Sequence, residues 1–168
     1  GGGSGPLRLP ASIHSGAGDH GGSRALRAES RRSFGPLNLV LGVSSLRDVR
    51  SAGTYGASGV FGAIATGSWS WLFQIDETEA PGEDGRIVTH EWSAVVRRGL
   101  ELRVTYDHQD PDSDRQSGAR ERWSAGVEAF VTPAFRLSGR GVREISDAGV
   151  RVEGAEVHRI ESVVHFLF

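Results

Sequence analysis

The sequence predicts an all-β protein: about ten strands in antiparallel up-and-down order, curled into a transmembrane β-barrel or a segment of one. Three observations carry this. Apolar and polar residues alternate with period two along most of the chain, as in VHRIESVVHFLF at its end. The connections between these stretches alternate in length: FG, TGS, RG and TP are short, whereas GAGDHGG, RDVRSAG, ETEAPGEDG, DPDSDRQSG and SDAGVRVEGAE are long and polar. Aromatic residues gather towards strand ends: Phe34, Trp69, Phe135 and Phe168 by short turns, Tyr55, Tyr106 and Trp123 by long loops. Short turns on one side, longer loops on the other and two aromatic girdles are the marks of a barrel wall in lipid.

Composition agrees. The chain has 168 residues and 38% hydrophobic content, with no apolar run near the ~20 residues of a membrane helix. A barrel passes that filter because its lumen face is polar. Net charge is −2, and all 19 basic residues are Arg. There is no Cys, which excludes disulfides, thiolate metal sites and covalent haem attachment. The absence of Met implies a processed or excised chain, and GGGSG (1–5) reads as a flexible start or linker ahead of a barrel domain over 6–168.

In chain order, a weak first strand is expected over 6–14, with Pro10 suited to an edge or bulge. The second, 23–33, has a rival helical reading, since RALRAESRR is rich in helix formers. The third, 36–46, sets Leu37, Leu39, Leu41 and Val43 on one face. The fourth, 54–65, is so rich in Gly and Ala that its facing is ambiguous. Trp69, Trp71, Phe73 and Ile75 mark the fifth; His90, Trp92, Ala94 and Val96 the sixth, with Arg97 on its polar side. Arg98-Gly99 turns into the seventh, where Leu100, Leu102, Val104 and Tyr106 oppose Glu101, Arg103, Thr105 and Asp107. The eighth carries Trp123, Ala125, Val127, Ala129 and Val131; the ninth Phe135 and Leu137; the last runs over 157–168. An open edge in lipid leaves N–H and C=O groups unpaired at several kcal/mol each, so the strands close on themselves or complete a larger barrel.

The final strand, ending on Phe168, resembles the C-terminal signature of bacterial outer-membrane β-barrel proteins. The segment 86–168, with its strand–RGLEL–strand hairpin, TYDHQDPDSD loop and strand–TP–strand hairpin, resembles the C-terminal portion of porin-type members. The resemblance covers about half the chain well. It implies an outer-membrane location, insertion by the barrel assembly machinery through the last strand, and further barrel strands beyond this chain. Some relatives in that broad group sheath multihaem cytochromes, which implies a lumen partner as a second possibility.

The expected lumen wall is Arg97, Glu101, Arg103, Asp107, Arg122, Glu128, Arg136, Arg140, Arg159 and Glu161, extended by Arg8, Arg27, Glu29, Arg31, Asp76 and Glu91. Such a wall either orients water and favours anions mildly or fills the interior with paired charges. The expected membrane-interface aromatics are Tyr55, Trp69, Trp71, Trp92, Tyr106, Trp123, Phe135 and Phe168; a sandwich core is the rival use for such rings. Asp110, Asp112, Asp114 and Glu121 fall at positions 1, 3, 5 and 12 of an EF-hand-like spacing, but Arg115 occupies the position that needs Gly. His90, His108 and His158 lie on the lipid side near the loop ends, where neutral imidazoles outweigh a metal site. No spacing singles out a nucleophile and base, a phosphate loop or an aromatic-basic platform, so neither enzyme chemistry, a cofactor nor nucleic acid is expected. A pore for small polar solutes or ions leads; a structural or adhesive barrel and a soluble β-barrel binder follow.

Overall fold

The computed structural model describes residues 11–18, 21–50, 53–114, 118–132, 135–146 and 155–166. Ten strands appear in these ranges: β1 Ala11–Gly18, β2 Gly21–Phe34, β3 Leu37–Arg50, β4 Gly53–Thr66, β5 Trp69–Ala80, β6 Glu83–Arg97, β7 Leu100–Asp110, β8 Arg120–Thr132, β9 Phe135–Ser146 and β10 Ala155–Phe166. They form one sheet in the order β1-β2-β3-β4-β5-β6-β7-β8-β9-β10, each antiparallel to the next. Every substantial contact between elements joins sequence neighbours, so among the described residues the sheet is a single layer, with β1 and β10 at open edges.

Residues 23–33 lie in β2; the helical alternative fails. Period two explains this: Leu26 and Ala28 pair with Ser45 and Val43 on one face, while Arg27 and Glu29 pair with Ser44 and Gly42 on the other. Helix propensity is a weak preference beside twelve cross-strand partners. Strand one is described from Ala11 onward, so most of the predicted 6–14 span, and Phe168, lie outside the described residues.

The expected long loops are shorter than their polarity suggests. ETEAPGEDG is mostly strand: β5 runs through Glu77 to Ala80, Pro81 and Gly82 turn, and β6 starts at Glu83. RDVRSAG is cut back likewise, β3 continuing to Arg50 and β4 starting at Gly53. The strands outrun their apolar parts, so polar residues there extend the sheet. A long connection does separate β7 from β8. It folds back on β6: the Ser113 amide donates to the Asp84 carbonyl at 2.6 Å, and the Ser113 hydroxyl donates to the same oxygen at 2.9 Å. Gly85 permits this, since a Cβ there would lie 2.6 Å from the Asp110 carbonyl and 2.8 Å from that of Pro111. Gly85→Ala is therefore expected to lift the 111–114 segment, read as faster proteolysis within it while the rest of the sheet stays resistant.

Four turns use glycine in the left-handed region: Gly35, Gly67, Gly82 and Gly99 have φ between 56° and 84°. One register break falls in β6, where Val95 pairs with Glu101 but Arg97 pairs with Leu100. A second falls between Phe130 and Thr132 of β8. Both lie at the short-turn end, where bulges commonly sharpen the twist.

The described residues form almost no core. Phe61 and Val142 are the buried hydrophobic residues among those described. The chain exposes 12070 Å², against about 8,000 Å² for a compact soluble monomer of its mass.

Candidate functional site

Cross-strand pairing sorts the side chains into two faces. The apolar face follows one pairing row after another: Leu39–Ile64–Trp71–Trp92–Val104–Ala125–Gly141–Ile160 is one, and Leu41–Gly62–Phe73–His90–Tyr106–Trp123–Arg143–His158 is the next. Leu41 is 61% exposed and Leu102 46%; no described element covers them. The charge-free runs on this face end sharply, at Arg47 on β3, Glu77 on β5 and Glu121 on β8. Leu37 to Ser45 spans nine residues and Trp123 to Thr132, across its bulge, ten, within the ~9–11 residues of a transmembrane strand.

Trp69, Trp71, Trp92, Tyr106, Trp123 and Phe135 all stand on this apolar face. Tyr106 and Trp123 have ring centroids 4.5 Å apart. Tyr55 does not join them: it pairs with Asp48 on the polar face. A strand of Gly, Ala and Ser gave no contrast by which to read its side. His90 stands within the apolar band, not at its loop end, stacked against Trp71, Trp92 and Tyr106 at 5.9, 5.5 and 6.2 Å. Its Nδ1 is buried and finds no hydrogen-bond partner among the described residues. Three ring faces shield it from its surroundings. His108 Nδ1 faces Glu121 at 3.8 Å, beyond hydrogen-bond range.

The opposite face holds most of the predicted charged wall, already assembled into pairs. Arg103 contacts Glu101 at 2.9 Å and Glu91 at 3.6 Å. Arg122 donates from two nitrogens to one Asp107 oxygen, at 3.0 and 2.8 Å. Arg136 meets Glu128, Arg140 meets Glu161, and Arg159 reaches the second Glu161 oxygen at 2.6 Å. On β2, Glu29 takes Arg31 at 2.6 Å and Arg27 at 3.4 Å. Gly126 makes this possible on β8, since a Cβ there would sit 2.7 Å from that of Arg140. The pairs border a groove of about 260 Å³ floored by Thr105, Ser124 and Ser138. Exposed pairs of this kind are worth roughly 0–1 kcal/mol each, so they shape the groove more than they stabilise it.

Arg97 leaves the wall. The break in β6 sets it opposite Leu100, which shares its face with Leu102, whereas strict alternation put it with Glu101. Asp110 and Asp112 carboxylates accept the amides of Asp112 and Asp114, a chain of local turns. Glu121 of β8 pairs with His108, and no group of three His, Asp or Glu placed for a metal is found among the described residues.

Pattern reading missed one feature of the polar face. Phe61 lies there, buried, with the Arg27 guanidinium 3.9 Å above its ring. It fits because Gly42 opposite has no side chain: a Cβ would fall 2.2 Å from Phe61 Cζ. A lone Phe in a Gly-rich strand was the signal. Beyond the apolar run, hydrogen bonding from Arg143 holds the Glu156 carboxyl below its ordinary range.

Set against known proteins, the chain matches no family model, no curated protein and no solved structure. The fold is therefore defined by its own geometry: an all-β, antiparallel, up-and-down sheet with one apolar and one charged face.

Proposed function

We propose that this sheet is the wall of a transmembrane β-barrel of porin type, located in a bacterial outer membrane. The apolar face meets lipid, and the charged face lines an enclosed aqueous space. One observation carries the reading: the apolar face is continuous from β3 to β10 and nothing among the described residues packs on it. A soluble sheet in water needs a second layer over such a face. Lipid supplies that cover without further protein. Closure then satisfies the free edges of β1 and β10, within this chain or with additional strands. The ten described strands are even in number, so β1 and β10 run antiparallel, as direct closure between them requires. The barrel assembly machinery would act on the last strand.

Transport follows from the wall. Small polar solutes or ions would pass the row of paired arginines and carboxylates, whose groove on β7–β10 is lined by hydroxyls. No catalytic role is proposed. A structural barrel, or a sheath around a lumen partner, is the second reading. It is favoured by the pairing itself, because arginines already satisfied by carboxylates can fill an interior as well as line a channel. Reconstitution separates the two. In planar bilayers the purified chain is expected to give discrete conductance steps; a protein that inserts, shifts on gels upon heating and yet carries no current belongs to the structural reading. A monodisperse protein in buffer without detergent would remove both.

A further inference from the structure

The apolar face carries one hollow that a plain lipid-facing wall does not need. It measures about 660 Å³ and is bounded by Trp123, Ala125, Gly141, Arg143, His158 and Ile160. Its floor is made by small residues on β8 and β9. Gly141 pairs with Ala125 on one side and Ile160 on the other. A Cβ built on Gly141 would meet nothing within 4 Å, so the glycine is not demanded by packing. Gly139, two residues further along the same face of β9 and paired with Val127 and Ser162, prolongs the strip that bears no side chain on β9; the nearest neighbour of a Cβ there is a carbonyl 3.9 Å away. Ile160 forms one wall and is 91% exposed; the Trp123 ring forms the other.

The head of the trough is polar and cationic. One row towards the loops stand Arg143 and His158, paired across β9 and β10 and both largely exposed. Glu156 faces them: it accepts Arg143 Nε at 2.6 Å and lies 3.1 Å from His158 Nε2. Glu156 and Glu121 stand in the next pairing row of this face, on either side of Ile145, so these cations sit where the apolar run ends. The combination is an apolar trough, about two glycines long, opening at a membrane boundary under an Arg and a His. Its chemistry matches one kind of occupant: an acyl chain joined to an anionic phosphate headgroup. Arg offers a planar fork suited to phosphate oxygens, and Trp at this level is suited to the interface.

We propose that the outer face of β8–β10 is a binding site for an anionic phospholipid, one acyl chain lying over Gly139 and Gly141 and the phosphate held by Arg143 and His158. This rests on the assignment of the apolar face to lipid. A phosphate group would compete with Glu156 for Arg143 Nε and leave the remaining guanidinium nitrogens shared between them.

The test uses the full chain reconstituted in vesicles of phosphatidylglycerol and phosphatidylcholine, extracted in mild detergent and weighed intact by native mass spectrometry. The wild-type chain is expected to retain one phosphatidylglycerol, enriched about tenfold over phosphatidylcholine. Gly141→Leu places a side chain on the trough floor, where an added Cβ meets nothing within 4 Å, and is expected to abolish retention. Arg143→Gln with His158→Gln is expected to keep a retained lipid but erase the preference for phosphatidylglycerol. Inorganic phosphate at millimolar concentration should not displace the lipid, because it cannot occupy the trough; displacement by phosphate alone would overturn the proposal, as would retention in Gly141→Leu equal to that of the wild-type chain. Insertion is scored separately by heat-shifted gel migration. A chain that inserts but retains no lipid loses this site alone, whereas a chain that never inserts loses the barrel reading too.

Discussion

Val127→Arg is expected to abolish assembly into the membrane, while Leu72→Arg leaves it nearly unchanged. The two residues look alike in isolation: both are exposed strand apolars, at 42% and 43%. They stand on opposite faces. Val127 pairs with Leu102 near the centre of the charge-free run of β8. An arginine at the midplane of a barrel's lipid face costs about 2–4 kcal/mol, a large share of what holds a marginally stable protein together. Leu72 pairs with Glu91 on the charged face. An arginine there finds a carboxylate directly opposite and water around it. The measurement is the fraction of each variant that enters vesicles and migrates as a folded, heat-shifted band. Loss for Val127→Arg with near-normal yield for Leu72→Arg is the expected result. Equal tolerance of both would mean that neither face meets hydrocarbon, and the reverse order would exchange lumen and exterior.

What the sequence made legible follows from contrast. Strands β3, β5, β7 and β8 alternate large apolar with polar side chains, so their facing can be read from single residues such as Leu102 and Arg103. Pairing then carries that facing to their neighbours. Strand β4 lacks contrast, so its pattern does not reveal that Tyr55 stands opposite Asp48 on the charged face. Arg97 was misplaced by a different cause. A bulge inserts one residue and inverts the parity beyond it, and Val95-Val96-Arg97 contains nothing that announces one. The loop boundaries erred systematically: Glu77, Thr78 and Glu79 continue β5 although polar on both sides. A strand that leaves an apolar band into water no longer needs an apolar side, so periodicity fades before pairing does. The arginine–carboxylate wall was visible as residue types but not as partners. Which carboxylate each arginine takes depends on register, as Arg122 with Asp107 and Arg140 with Glu161 illustrate.

Gly42→Ala is expected to destabilise the folded chain by about 1–3 kcal/mol, the usual cost of forcing extra volume into a filled site. The site is filled from the facing strand. A methyl group on residue 42 would fall 2.2 Å from Phe61 Cζ and 2.7 Å from the Ala28 carbonyl. The ring cannot simply swing away, because Arg27 lies over it at 3.9 Å and Arg27 is tied to Glu29. A double-mutant cycle with Phe61→Ala isolates the ring's part. Phe61→Ala alone loses the ring's burial and its contact with the guanidinium. Adding Gly42→Ala to that background should cost much less than it does in the wild-type chain, the remainder coming from the Ala28 carbonyl. Gly59→Ala supplies the contrast. Its Cβ would meet the Ile75 carbonyl at 2.3 Å, a backbone atom that no side-chain substitution removes. It should therefore be at least as costly, and no second change on β5 should restore it. Urea midpoints of the heat-shifted band give all the free energies needed. Strict additivity of Gly42→Ala with Phe61→Ala would show that the glycine does not exist to seat the ring, and that the Arg27–Phe61 stack is incidental to how β2, β3 and β4 hold together.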